Sequence, residues 1–175
     1  MQVKSGPSNL LPDLSGTSSC AAYNFRRTAR AVSRLYDAAL EPSGLRSTQF
    51  AILTAIAKLQ PVAISRVGQI LVIDPATMTR NLRLLEKQGL VEISPRGVRR
   101  QRLLNLTLKA EKALAVAVPL WREAQARFLA SLGSLGWKEF KHNLQQATQA
   151  AISLENPCRR GNRGGPGRSE DSLPG

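Results

Sequence analysis

The chain reads as a mainly α fold with one small β-hairpin. Three features of its 175 residues predict this. Apolar residues recur at helical spacing over most of the length. One stretch, "DPATMTRNLRLLEKQG" (74–89), carries both a helix start and a helix stop. Two short β-leaning runs follow it, joined by an arginine-rich turn.

The first helix is expected from about 20 to 41. Tyr23, Val32, Leu35, Tyr36, Ala39 and Leu40 fall largely on one side of it, and Pro42 and Gly44 end it. Ser47 or Thr48 should cap a second helix, whose apolar residues are Phe50, Ile52, Leu53, Ile56 and Leu59 and whose stop is Pro61. A short third helix, about 64–71, turns Ile64, Val67, Ile70 and Leu71 inward.

The punctuated stretch comes next. Asp74 can accept hydrogen bonds from free amides of the first turn, Pro75 suits the first helical position, and Gly89 suits a left-handed exit. At about 100° per residue, Met78, Leu82 and Leu85 share one side, while Ala76, Arg80, Arg83 and Lys87 share the other. The runs "LVEIS" (90–94) and "RLLNL" (102–106) then form a hairpin through "PRGVRRQ", which places Arg96, Arg99, Arg100 and Arg102 within it. A helix pair, a helix with a cationic outer side and a basic hairpin, in that order, match a winged helix-turn-helix.

After the hairpin, Leu114, Ala117, Val118, Trp121, Ala124, Phe128 and Leu132 make one helical apolar stripe. Trp137, Phe140, Leu144, Ala147 and Ile152 make another. Pro119 lies inside the first of these helices and should kink it. The ends differ in kind. Residues 1–18 are rich in Ser, Gly and Pro, and residues 156–175 form a basic tail nearly free of apolar side chains, so both are expected to be flexible.

Composition narrows the function. Lys and Arg number 25 against 12 Asp and Glu, a net charge of +13, so the surface should draw polyanions. Nucleic acid is the leading partner and an anionic membrane the second. No apolar run approaches the ~18 residues of a membrane span, and no signal-peptide pattern opens the chain, which points to the cytoplasm. Cys20 and Cys158 lie far apart, and His142 has no ligand-type neighbour, so neither a metal, a cofactor nor a disulfide framework is expected. Enzymatic chemistry finds no acid, base and nucleophile at useful spacing.

Taken together, "GLRSTQFAIL" (44–53), "DPATMTRNLRLLEKQGLV" (74–91), "RRQRLLNLT" (99–107) and "AVPLWREAQ" (117–125) resemble the MarR-type regulators, over about residues 20–154. The resemblance implies a dimeric regulator of transcription bound to double-stranded DNA. Its DNA-binding lobe would span about 45–107, and its dimerisation helices about 20–42 and 108–154, within a domain of 19–155. It implies that Pro75, Ala76, Thr77, Thr79 and Arg80 face the major groove, that Ser65 and Gln69 touch the backbone, and that Arg100 enters the minor groove at the wing tip. Arg80 is the candidate for bidentate contact with guanine, and Thr77 or Thr79 for a phosphate or a thymine methyl. Arg83, Arg96, Arg99 and Arg102 lie where phosphates run alongside. Tyr23, Trp121, Phe128, Trp137 and Phe140 are the aromatic candidates for the homodimer interface.

Wings of this type usually carry an acid two residues before the position of Arg100, whereas this chain has Val98 there. Without that carboxylate the wing arginines favour narrow, negative A·T-rich minor grooves. Val98 packing against the domain is the alternative reading. The resemblance also implies a pocket for a small-molecule effector in some members and a reactive cysteine near the first helix in others. Cys20 falls two residues upstream of that cysteine's position, which turns its side chain by about 200°, and Ser47 stands where a partner tyrosine would be. A repressor acting on a pseudo-palindromic operator is the resulting expectation. A non-specific nucleic-acid binder and a redox-sensing regulator using Cys20 are the alternatives.

Overall fold

The computed structural model describes residues 14–94, 102–133 and 136–161. Among the described residues, six α-helices and a three-stranded sheet follow in the order α1 (Ala21–Leu40), α2 (Ser47–Leu59), β1 (Val62–Ala63), α3 (Ile64–Leu71), α4 (Pro75–Lys87), β2 (Val91–Ile93), β3 (Leu103–Leu106), α5 (Leu108–Ser131) and α6 (Trp137–Gly161). A 3-10 turn, Thr17–Ser19, begins inside the stretch expected to be flexible, residues 1–18, and α6 runs past its expected end near 154. The residues joining β2 to β3, Arg96, Arg99 and Arg100 among them, lie outside the described residues, as does Val98.

Through Gln125 the chain forms one compact unit. Its core gathers Leu40, Ile52, Leu53, Ile56, Val67, Met78, Leu85 and Leu104, all essentially inaccessible to solvent. The sheet order is β1-β3-β2, with Leu104 of the central strand paired to both Val62 and Ile93. The hairpin is legible in the sequence; β1 is not, because two residues are too few to show alternation. From Ala126 onward a second unit contains the end of α5 and α6. Within it the rings of Trp137 and Phe140 lie 6.1 Å apart. Trp137, Phe140, Leu144, Ala147 and Ile152 form the less exposed side of α6, yet none is fully buried within the single chain.

Three local expectations are corrected. Neither Ser47 nor Thr48 caps α2: Arg46 occupies the N-cap, and two other side chains satisfy the free amides. Gln49 accepts from the Arg46 N–H at 2.9 Å, and Asp37 of α1 accepts from the Ser47 N–H at 2.7 Å. Partial burial pushes the Asp37 carboxyl up, but hydrogen bonds from Ser47 and the charge of Arg46 outweigh it, leaving it below its ordinary value.

Ile70 does not face inward; it is 44% exposed. Val67 and Gly68 are the buried residues of α3, with Ile64 and Leu71 half-buried, so the inward arc turns toward Gly68 and leaves Ile70 roughly 110° from its middle. Tyr23, 57% exposed, is not on the side of Val32 and Tyr36. Nine residues at about 100° each place it opposite Val32. Phe25, 49% exposed, is the aromatic residue of the first turns that lies on the apolar side.

The α3–α4 turn contains a β-branched residue in the left-handed region, Val72 at φ 53°. Its N–H donates to the Gln69 carbonyl, and Ile73 N–H donates to that of Gly68 at 2.9 Å, so the turn holds the strained conformation by closing α3. A β-branched residue there carries a strain of about 1–2 kcal/mol that glycine does not. Val72 is also mostly exposed, so its replacement costs little packing. Relief of that strain should outweigh the extra unfolded-state entropy of glycine, so Val72→Gly should stabilise the protein by up to about 1 kcal/mol, raising Tm by at most roughly 2–4 °C in a chain of this size. A Tm lowered, by calorimetry, by as much as an ordinary X→Gly change at an exposed site would show that the turn is unstrained.

Candidate nucleic-acid interface

α4 is built to be rigid at its start. Asp74 adopts an extended N-cap conformation and its Oδ1 accepts from the Thr77 N–H at 2.9 Å, while Pro75 opens the helix. The Thr79 hydroxyl donates to the Pro75 carbonyl at 2.8 Å, and Asn81 Nδ2 donates to the Thr77 carbonyl. Thr79 thus spends its proton inside the helix and presents a methyl and lone pairs outward. Of the groups a DNA groove offers, a thymine methyl fits this better than a phosphate, which needs a donor.

Met78, Leu82 and Leu85 anchor the opposite side of α4 in the core. Ala76, Arg80, Arg83 and Lys87 are all exposed with Pro75 and Thr79, and Thr77 is half-buried beside them. Ser65 and Gln69 of α3 are exposed, as is Arg102, whose carbonyl accepts from the Ile64 N–H at 3.3 Å and ties β3 to the start of α3. Asp37 pairs with Arg46, and among the described residues none of the cations of α4 is ion-paired.

Several residues that position this surface have no signature in the sequence. Gly68 is buried where a Cβ would come within 3.2 Å of the Ile73 carbonyl. Gln49, the buried polar side chain of the core, donates to Gln88 Oε1 at 2.9 Å while accepting from Arg46, joining the start of α2 to the end of α4. Thr107 Oγ1 donates to the Gly89 carbonyl at 2.7 Å and accepts from the Ala110 N–H, so one hydroxyl ties the exit of α4 to the start of α5. Lys109 Nζ donates to the Gln88 carbonyl, a cation at a helix C-terminus. Gly89 takes the expected left-handed exit at φ 68°. A mid-sequence glutamine gives no periodic signal, and only the "GL" following α4 hints at the exit.

A cavity of about 520 Å³ lies among α1, α2 and α5, with Tyr36, Phe50, Thr54 and Trp121 on its walls and Lys58 and Arg122 also lining it. Phe50 and Trp121 stack at 6.0 Å between ring centres, so Trp121 is already partnered within its own chain. The Tyr36 hydroxyl donates to Gln125 Oε1, and burial pushes its phenol above the ordinary value. Cys20 is an exposed free thiol at the N-cap of α1. Among the described residues no group of three metal-ligating side chains forms, and no helix is long and apolar enough to cross a membrane.

Residues 43–101 match the model of the MarR family. The M. tuberculosis transcriptional regulator MosR, solved in complex with DNA, is 37% identical; the match covers 77% of this chain and 98% of that one, with a TM-score of 0.70. An uncharacterized HTH-type transcriptional regulator of Bacillus subtilis, YwoH, is 29% identical over 90 residues, 51% of this chain and 66% of its own length. The PcaV regulator of Streptomyces coelicolor, solved with its natural ligand, shares the fold at 22% identity and a TM-score of 0.68, over 81% of this chain and 98% of its own.

The cap of α4 carries its own pH signature. Hydrogen bonds from Thr77, through its side chain and then its N–H, favour the ionised carboxylate and hold Asp74 below its ordinary value. Stabilisation of this sign is complete above the ordinary aspartate value of about 3.9 and is lost as pH falls through the lowered native one. Asp74→Ala should therefore melt below the wild type at pH 7, and the two curves should converge on acidification below about pH 4. A gap that persists at the most acid point would assign the effect to something other than the carboxylate.

Proposed function

Because the chain belongs to the MarR family of transcriptional regulators, we propose that it acts as a homodimeric, sequence-specific repressor on a pseudo-palindromic operator. The observation that carries this reading is the construction of α4. A purely electrostatic binder needs cations, but not an N-capped helix whose exposed first residues are Pro75, Ala76 and Thr79, with Arg80 beyond them. Small residues let the helix start approach base edges, and Arg80 has the fork geometry for guanine. Ser65, Gln69, Arg83 and Arg102 then set the register on the phosphates, with Arg96, Arg99 and Arg100 on the wing.

The dimer reading rests on the partly exposed apolar side of α6 and on Phe25. Trp137, Phe140, Leu144, Ala147 and Ile152 gain a full environment only against another surface, and a second copy supplies one by two-fold symmetry. Phe128 belongs to the same unit as this stripe and is half-buried. Tyr23 lies on the other side of α1 from Phe25.

Selection of bound fragments from random DNA should yield an inverted repeat. On that repeat, Arg80→Ala should lose discrimination at a few positions in each half-site, by ~1–3 kcal/mol each. Recovery of unrelated fragments, or uniform weakening by Arg80→Ala, would favour the non-specific binder.

The cavity favours regulation by a small molecule. Its walls are apolar and aromatic, and Lys58 and Arg122 add two cations, a combination suited to an apolar acid. It also borders α2, which Gln49 links to the end of α4, so occupancy there bears on the recognition helix. Salicylate, as a simple aromatic carboxylate, should raise Tm and weaken DNA binding by the same reciprocal coupling. Both effects should shrink in Lys58→Ala/Arg122→Ala. Equal effects in that variant would place the ligand elsewhere.

A further inference from the structure

α1 has two sides, and only one is explained by packing. Phe25, Ala29, Val32 and Tyr36 lie on the apolar side, which runs into the core at Leu40. Arg26, Arg27, Arg30 and Arg34 occupy about 100° of arc on the opposite side, with Tyr23 at its start. All five are exposed. The acid on this side of α1 is Asp37, at its end, and it is engaged by Ser47 and Arg46; none of the four arginines is ion-paired among the described residues. Four unneutralised guanidinium groups on two to three turns of one helix repel each other, and the folded domain gains nothing from them. The cost is offset only by a polyanion.

We propose that this arginine side of α1 is a second DNA-binding surface, one that holds the sugar-phosphate backbone of a duplex other than the one read by α4. Arg26, Arg30 and Arg34 repeat every four residues, about 6 Å along the axis, a step similar to that between neighbouring phosphates of one strand. All four cations are arginine, whose planar fork binds phosphate oxygens in pairs where lysine offers a point charge. Tyr23 adds a hydroxyl donor to the same row.

Other occupants fit less well. A second copy of this chain carries +13 itself and offers few acids to oppose the row. A lipid surface requires an apolar face beside the cations, whereas the apolar side of α1 lies opposite the arginines and enters the core at Leu40. α1 packs on α2, and α2 meets α4 at Gln88, the end of α4 remote from Pro75 and Arg80, so a duplex seated on the start of α4 does not account for the row. Its opposition to the apolar side leaves the row accessible when that side is covered by a partner.

The test uses the full-length protein and a random-sequence duplex, so it does not depend on the operator. One such duplex is immobilised, the protein is bound, and capture of a second, labelled duplex is measured from about 50 to 200 mM salt. The wild type should capture it; R26Q/R27Q/R30Q/R34Q should not, with an unchanged melting curve. In solution, R80Q/R83Q/K87Q should retain salt-sensitive DNA binding. Adding the four α1 changes to it should flatten the log–log salt slope by about 0.9 for each phosphate that is no longer neutralised. The four Arg→Lys changes preserve charge and should keep most of that slope.

The proposal is overturned if the glutamine variant bridges duplexes as the wild type does. It is equally overturned if R80Q/R83Q/K87Q abolishes DNA binding, or if the lysine variant is as defective as the glutamine one. Failure of the glutamine variant to bind phosphatidylserine vesicles, with bridging intact, would assign the row to lipid instead. Selection of an inverted repeat is unaffected by any of these results, so failure here leaves the operator reading standing.

Discussion

The arrangement of the DNA-binding lobe depends on one close approach, that of the Ile73 carbonyl to the α-carbon of Gly68. The nearest position for a Cβ at residue 68 is 3.2 Å from that oxygen, tighter than side chains ordinarily tolerate, and Gly68 is inside a helix where glycine otherwise costs about 1 kcal/mol. What the glycine allows is a turn of minimal length. Ile73 N–H bonds back to the Gly68 carbonyl, Val72 absorbs the reversal at φ 53°, and Asp74 begins the cap of α4 in the very next residue. The direction of α4 is thus fixed at its start by backbone contacts, before any of its side chains reach the core.

Its far end is held differently. Gln88 is tied to Gln49 through side chains, Gly89 to Thr107 through a carbonyl, and Lys109 closes on the Gln88 carbonyl. Each of these satisfies a backbone or amide group that the end of a helix leaves free. With both ends pinned and Met78, Leu82 and Leu85 buried between them, no cation of α4 is needed for stability. Arg80, Arg83 and Lys87 are free to be chosen for what lies outside the protein.

This division explains what is legible in the sequence. Helical spacing reveals α4, its two sides, its cap and its exit, because each depends on residues within a few positions of one another. The strands β2 and β3 are legible for the same reason. What stays hidden are contacts over long separations and geometric conflicts between patterns. Gln49 and Gln88 are thirty-nine residues apart; nothing in either neighbourhood marks them as a pair. β1 exists because β3 offers it a ladder, not because Val62 and Ala63 form a pattern. Ile70 belongs to an apolar run, "ILVI", in which period alone does not say which members face in, and the glycine two positions earlier decides it. For the α2 cap the sequence points to the nearest hydroxyls, whereas the free amides are satisfied by Gln49 and by Asp37 from another helix.

Tyr23 illustrates a subtler failure. An aromatic residue at the head of an amphipathic helix invites assignment to the apolar side, but its angular position places it with Arg26, Arg27 and Arg30. The same arithmetic that corrects it separates two kinds of cation in this chain. Those on α4 sit opposite a stripe buried in the core, on a helix braced at both ends, and their placement is constrained to a fraction of a turn. Those on α1 sit opposite a side only partly covered by the chain itself, and their arrangement is a repeat along the axis. Closely fixed placement suits contacts with base edges, which vary from pair to pair. A plain repeat suits the backbone, which is the same at every step. On this reasoning a net charge of +13 does not describe one broad basic surface. In the reading proposed above, its cations include a set placed to read a sequence and a set indifferent to it.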